Sequence, residues 1–188
     1  MSSLVKFSAG AVSSDPETEF TFPNIWEQET HPGFSRLLIG SQENPVDRIL
    51  DLCQMLEGPF GILYVLLVSR TGKDCARYQS SEPVEYDELE RFIRRFQSYF
   101  EQDGRHNVWV TSIFGDGQFV LDKHNITYAY GDLERIVARI TSVGYVKGKI
   151  SLPYPHTHHY NAQFDDTEEE IMGYWKWLRF PLAPSDDP

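Results

Sequence analysis

Hydrophobic residues recur along this chain with two different spacings, which indicates a mixture of helices and strands. After the Asn44-Pro45 pair, apolar residues follow one another at the spacing of a single helical face as far as Leu56. A longer apolar stripe lies between Tyr86 and Glu101, and a third one runs from Leu133 to Ile140. The spacing therefore predicts one helix in each of these three segments.

Between the stripes, the hydrophobic runs are short and rich in β-branched and aromatic residues, which favours strands. Residues 60–68 are apolar throughout and predict a strand that is covered on both faces. Three runs between residues 107 and 130 are separated by turn residues and predict an antiparallel meander. Further strands are predicted at residues 34–39, 76–79 and 145–152.

Together these elements predict an α+β fold, with a largely antiparallel sheet of about five to six strands and helices packed mainly on one face. Residues 167–170 form a capping-box pattern before Ile171, which predicts a short C-terminal helix that includes Trp175 and Trp177. Residues 1–30 lack periodicity and are expected to be an irregular arm, whereas residues 31–188 are expected to form a single domain.

The charge of the chain limits the partners that we expect. Its 188 residues include 17 Lys or Arg and 28 Asp or Glu, for a net charge of −11. An acidic surface repels nucleic-acid phosphates and anionic lipids, and it attracts basic proteins. We therefore expect a protein partner of basic character, and we expect neither nucleic acid nor membrane as a partner.

The cysteines and the first residues bear on localisation. Cys53 and Cys75 are too few for a disulfide framework, and neither lies in a zinc-binding spacing. The first apolar run is interrupted by Lys6 and Ser8, unlike a signal peptide, and no run is long enough to span a membrane. These features predict a cytoplasmic protein.

The strongest chemical signal is the segment 155–160, PHTHHY, which two aspartates follow within a few residues. Imidazole and carboxylate are ligands that zinc, manganese or iron accept. Because side chains alternate along an extended segment, the first and second histidines are expected to point to one side and the third to the other. The candidate metal ligands are His156, His158, His159 and Asp165, with Asp166, His106 and His124 as further candidates for a remaining position. The alternative is a hydrogen-bonding loop that needs no cofactor.

Aromatic residues near the C-terminus form a second candidate site. Trp175 and Trp177 are two residues apart, so a helix cannot bury both on one face. Exposed Trp and Tyr side chains are frequent at binding hot spots, although rings in such a position also cover sheets. The candidate partner-binding residues are Tyr154, Tyr160, Tyr174 and Trp177.

Motifs for several common chemistries, including GxSxG, GxxxxGK, GxGxxG and HExxH, are absent from the sequence. In size, acidity and predicted architecture the chain is similar to immunity proteins of bacterial toxin systems. The resemblance implies a non-enzymatic acidic protein-binding module, such as an inhibitor of a cationic toxin or enzyme. The alternative is a metal-binding protein or a metal-dependent hydrolase that uses the cluster of His156, His158 and His159. The sequence does not decide whether the protein is an enzyme.

Overall fold

The computed structural model describes residues 4–10 and 18–186, and within these ranges strands and helices interleave. The strands are β1 (Phe7–Ala9), β2 (Thr18–Glu19), β3 (Ile25–His31), β4 (Phe34–Gly40), β5 (Phe60–Leu66), β6 (Ala76–Ser80), β7 (His106–Ser112), β8 (Gly117–Leu121), β9 (Ile126–Gly131), β10 (Val146–Lys147), β11 (His156–His158) and β12 (Trp177–Phe180). The helices are α1 (Pro45–Cys53), α2 (Tyr86–Arg95), α3 (Gln97–Gln102), α4 (Leu133–Ser142) and α5 (Asp165–Tyr174).

Most of the strands belong to one large sheet. Nine strands lie in the order β10-β3-β4-β9-β8-β7-β5-β6-β12. The neighbouring strands are antiparallel except β10 and β3, which run parallel. The α+β class is therefore as predicted, but the sheet is mixed and has nine strands, so the expectation of five to six antiparallel strands was wrong.

The additional strands lie where the sequence carries little alternation. β3 overlaps the predicted irregular arm. Its residues at positions 27–30 are all polar, so apolar and polar residues do not alternate there and the sequence did not indicate a strand. β12 falls where the C-terminal helix was expected to continue. The predicted strand at residues 145–152 is reduced to the two residues of β10. The remaining arm and tail residues, 1–3, 11–17 and 187–188, lie outside the described part of the chain.

A second, smaller sheet holds three short strands in the order β11-β1-β2, all antiparallel. Phe7 on β1 lies opposite His158 on β11, and Ala9 lies opposite His156. This small sheet therefore joins the beginning of the described chain to the segment that contains the predicted metal ligands.

The helices follow the apolar stripes of the sequence. α1 begins after Asn44, as predicted, and packs on β8. The stripe between residues 86 and 101 forms α2 and α3 instead of one helix, because Phe96 leaves the helical conformation with φ −105° and ψ 15°. None of the helices in the described ranges has the length and apolar composition that crossing a bilayer requires.

The main hydrophobic core lies between the helices and one face of the large sheet. β5 presents Ile62, Tyr64 and Leu66 to this core, where all three are buried. On the opposite face Leu63 is only half-buried, so the expectation that this strand is covered on both faces holds only in part. A separate, smaller hydrophobic cluster contains Phe7, Phe22, Leu38 and Ile126 and lies beneath the small sheet.

Candidate metal centre

Three histidines from two different parts of the fold meet at the junction between the two sheets. His156 and His158 lie on β11, and the alternation of side chains directs both to the same side. His124 lies in the turn between β8 and β9, where the following Asn125 adopts a positive φ of 61°. The chain thus brings together one histidine of the large sheet and two of the small sheet.

The spacing of these three side chains suits one metal ion. One ring nitrogen from each residue lies within 4.8 Å of the others. The ring centroids of His124 and His158 are 4.8 Å apart, and His156 lies 5.3 and 5.2 Å from them. In a tetrahedral zinc site, ligand nitrogens are separated by about 3.3 Å, so modest side-chain rotations would close the set around an ion.

Hydrogen bonds fix the proton position on two of the rings. Nδ1 of His124 lies 2.9 Å from a carboxylate oxygen of Asp122, and Nδ1 of His156 lies 3.0 Å from the carbonyl oxygen of Pro153. Both partners only accept hydrogen bonds, so each Nδ1 carries a proton when its ring is neutral. The lone pair of each ring is then on Nε2, which is the arrangement found in metal-binding histidines with an acceptor behind them.

His158 is held as a neutral imidazole. Burial, together with the neighbouring His124, Lys123 and His156, lowers the pKa of His158 to about 3, although Asp122 acts in the opposite direction. Its Nδ1 is buried and has no hydrogen-bond partner among the residues described. A neutral ring with an unused nitrogen is the form that binds a metal ion.

Phe7 forms an apolar wall beside the cluster. Its ring centroid lies 5.4 Å from that of His124, 6.0 Å from His156 and 6.4 Å from His158. Phe7 itself is buried. The wall shields one side of the histidines from water, which strengthens any electrostatic attraction between them and an ion.

No protein-family model matches this chain, and neither a curated protein nor a solved structure matches it. Its function is therefore inferred from the geometry of its side chains.

Two of the predicted ligands lie away from the cluster. Nε2 of His159 is 2.7 Å from Oγ of Ser8, on the opposite side of β11 from its neighbours. Asp165 forms ion pairs with Arg70 at 3.0 Å and Arg105 at 3.2 Å. The structure brings neither of them to His156 and His158, and the third member of the cluster is His124.

The other named candidates also have different surroundings. His106 is fully buried, with its ring stacked 4.3 Å from that of Tyr99, and burial keeps its pKa well below the ordinary value. Asp166 lies in the first turn of α5. His124 was among the further candidates. It is distant from His156 in the sequence, so no local pattern distinguished it from the other candidate ligands.

Asp165 belongs to a buried ionic network that anchors α5. The guanidinium of Arg105, itself fully buried, donates to Asp103 at 2.8 Å and to Glu168 at 2.6 Å. Glu168 also accepts hydrogen bonds from Ser69 and Thr71. This arrangement pairs the buried charges with one another and holds Asp165 beside two arginines, away from the three histidines.

The candidate partner-binding residues are dispersed. Trp177 lies on β12 instead of the C-terminal helix, and its Nε1 donates a 2.9 Å hydrogen bond to the carbonyl of Ile171. Tyr174 and Trp177 both pack on Phe92, whereas Tyr154 is 95% exposed. Among the described residues no ring contact joins Tyr154 or Tyr160 to the other two.

Proposed function

We propose that this protein binds a divalent metal ion of the zinc class through His124, His156 and His158. The observation that supports the proposal is the convergence of three imidazoles, two of which have Nδ1 bound to an acceptor, so that the lone pair of the neutral ring is on Nε2. The support from Asp122 and from the carbonyl of Pro153 is typical of the outer shell of metal sites.

The donor set favours some ions over others. Three neutral nitrogen ligands suit zinc, copper, nickel and iron, whereas manganese and magnesium prefer oxygen. Within the described ranges, no cysteine or carboxylate joins the three histidines as a further member of the group. Of the ions expected from the sequence, zinc and iron therefore fit this site better than manganese does.

Three protein ligands leave a tetrahedral ion with one position for water, and zinc makes such a water more acidic. A hydrolase would also need a general base beside this position. Asp122, the carboxylate nearest in the sequence, already accepts bonds from the His124 ring and from two backbone amides. Metal binding is accordingly the function that we propose, without a catalytic role for Asp122.

Metal binding is tested by competition between the protein and a chromogenic zinc indicator. We expect the wild-type chain to take one zinc ion from the indicator. His124→Ala should bind at least about tenfold more weakly, because it removes one of three ligands. His159→Gln is the matched control, since its side chain lies on the other side of β11. Equal affinities of wild type and His124→Ala would contradict the proposed ligand set.

A second candidate function, a protein-binding module of the immunity type, is favoured by an exposed part of the sheet face opposite the helices. A groove of about 340 Å³ runs over this face, where Leu63 and Trp109 line it. Ile113, also at the groove, is 49% exposed, and the adjacent Phe114 is 62% exposed. Exposed apolar patches of this kind mark interaction sites, and the net charge of −11 favours a basic partner.

This second candidate is tested by capture of a basic partner from a cell lysate on immobilised protein. Phe114→Ser should reduce capture several-fold without a loss of stability, because the ring is exposed. Tyr154→Ser is the control, because it also removes an exposed aromatic ring, and Tyr154 neither lines the groove nor adjoins a lining residue in the chain. Equal losses of capture in the two variants, or a loss in Tyr154→Ser alone, would contradict the groove as the binding surface.

A further inference from the structure

We propose that an ion bound by His124, His156 and His158 is a cross-link between the two sheets, so that zinc controls the opening of the N-terminal segment, residues 4–10. This inference rests on the proposed metal site and adds to it a role in regulating the conformation of the chain. In this proposal the small sheet opens as a unit and separates from the large sheet.

The ligands lie on opposite sides of the junction between the sheets. His124 belongs to the β8–β9 turn of the large sheet, whereas His156 and His158 belong to β11 of the small sheet. An ion bound by all three must therefore connect the two sheets. An ion bound by the two residues of β11 alone would not.

The N-terminal segment is attached to β11 by its backbone. The amide of His159 donates a 2.7 Å hydrogen bond to the carbonyl of Lys6, and the amide of Gly10 donates a 2.9 Å bond to the carbonyl of Pro155. These bonds extend the β1–β11 pairing at both ends. A cross-link that holds β11 in place consequently holds residues 4–10 as well.

The packing beneath the small sheet is separate from the main core. Phe7 and Phe22 cluster there with Leu38 and Ile126, and this group is distinct from the large hydrophobic cluster beneath the helices. A unit with its own small apolar cluster can open at a lower free-energy cost than the whole domain. The small sheet is therefore the part of the fold for which an additional cross-link matters most.

Lys6 adds a cost to the closed arrangement. Its side chain is 1% exposed, and its ammonium donates a 2.8 Å hydrogen bond to the carbonyl of Asp122. Within the part of the chain that the structure describes, no carboxylate lies within ion-pair distance of this ammonium. Burial of this ammonium without an ion pair opposes closure of the small sheet.

Gly104 permits the close approach that closure requires. Its amide donates a 2.9 Å hydrogen bond to the carbonyl of His159, which connects the small sheet to the body. A Cβ at this position would lie 2.8 Å from the carbonyl oxygen of Lys6 and 3.3 Å from Nδ1 of His158. The amides of Gly104 and His159 are thus direct reporters of opening at this junction.

The expected effect follows from linkage between metal binding and opening. An ion that binds the closed form in preference to the open form shifts the population toward the closed form. At a free zinc concentration of about 100 times the Kd, the open population falls by about 100-fold if the open form does not bind. Residual binding by the His156 and His158 pair reduces this factor, so we expect a decrease of about tenfold to 100-fold.

Hydrogen exchange of the full chain, with and without zinc, measures this opening. We expect zinc to slow exchange at least about tenfold in peptides that cover residues 4–10 and 156–161. Peptides from β5 should not change. His124→Ala should lose the protection although it retains both histidines of β11, and His124→Gln serves as a second variant if the first does not fold.

The outcomes separate the cross-link from the metal site. Protection in the wild type that disappears in the His124 variants supports the cross-link. Binding of one zinc ion without slower exchange in these peptides overturns the cross-link and leaves the metal site in place. Protection that persists in the folded His124 variants also overturns it, because β11 alone then accounts for the effect. A chain that binds no zinc overturns both proposals.

Discussion

Asp122 shows how single residues organise the candidate site. One of its carboxylate oxygens lies 2.9 Å from Nδ1 of His124, and the other accepts 2.8 Å bonds from the amides of His124 and Ile126. The same side chain therefore shapes the turn and orients the ring. It is a positioning residue for His124 and does not belong to the ligand group itself.

We predict that Asp122→Asn lowers zinc affinity about 10- to 100-fold, because outer-shell partners of metal-binding histidines contribute on this scale. An amide NH₂ facing Nδ1 favours the tautomer that carries its proton on Nε2, which blocks the metal-binding lone pair. Indicator competition measures the change, and His159→Gln should retain the wild-type affinity. An unchanged zinc affinity in Asp122→Asn would show that Asp122 does not orient His124 for metal binding.

Part of the site could be predicted at the residue scale. Alternation along an extended segment places His156 and His158 on one side and His159 on the other, and the structure confirms this arrangement. The third histidine of the cluster, His124, could not be predicted. It joins the site because the β8–β9 turn packs beside β11, and a tertiary contact of this kind leaves no local pattern in the sequence. The pairing of Asp165 with Arg105 could not be predicted either, because the two residues are distant in sequence.

At the scale of elements, the end of α5 is where local pattern and tertiary structure differ most. The capping-box pattern indicated a helix in the correct region, but α5 ends at Tyr174 and the chain becomes extended at Trp175. Residues 177–180 then pair with residues 80–77 of β6. Strand pairing with a distant segment overrides the local pattern, and the sequence alone does not reveal it.

We predict that Trp177→Ala lowers the free energy of unfolding by about 2–4 kcal/mol, through lost packing and a lost hydrogen bond. The indole packs against Phe92 and Tyr64, and its Nε1 donates to the carbonyl of Ile171. Urea denaturation measures the change. Tyr154→Ala, at an exposed position, should change stability by less than about 0.5 kcal/mol. A similarly small effect at Trp177 would instead favour a purely surface role.

The ionic network around α5 predicts a dependence of stability on pH. Burial would raise the pKa of Glu168, but hydrogen bonds from Ser69, Arg105 and Thr71 outweigh burial and lower the pKa below its ordinary value of 4.5. A carboxylate with a lowered folded-state pKa stabilises the fold fully above its unfolded-state pKa. This contribution is lost as the pH falls through the folded-state value.

We therefore predict that wild-type stability decreases as the pH falls from about 5 to about 3, and that Glu168→Gln shows a smaller decrease in this interval. At neutral pH the variant should be less stable by about 1.5–3 kcal/mol, because Arg105 loses one charged partner and keeps its bonds to Asp103. Urea denaturation across a series of pH values tests both statements. Parallel pH profiles for the two proteins would show that Glu168 is not a source of the acid sensitivity.

At the scale of the whole molecule, the sequence predicted the α+β class but not the size of the sheet. The longer runs of β4–β9 carry clear apolar patterns. Strands of two or three residues, such as β1, β2, β10 and β11, are too short to show periodicity. The small sheet that holds two of the three histidines is made entirely of such strands, so its existence was not predictable from local pattern.

A metal ion that joins the sheets should stabilise the folded chain as a whole. Zinc at about 100 times its Kd adds about 2.7 kcal/mol to the free energy of unfolding, which corresponds to an increase in Tm of about 5–10 °C for a chain of this length. Thermal unfolding with zinc, and with magnesium as the control ion, measures the effect. We expect no increase with magnesium, which prefers oxygen ligands.

The most direct test of the central claim is the zinc content of untagged protein, measured by elemental analysis after zinc loading and gel filtration. We predict about one zinc ion per chain in the wild type and in His159→Gln, and a large loss of zinc in the double variant His124→Ala/His158→Ala. A wild-type chain that retains no zinc, or a double variant that retains as much as the wild type, would contradict the three-histidine site.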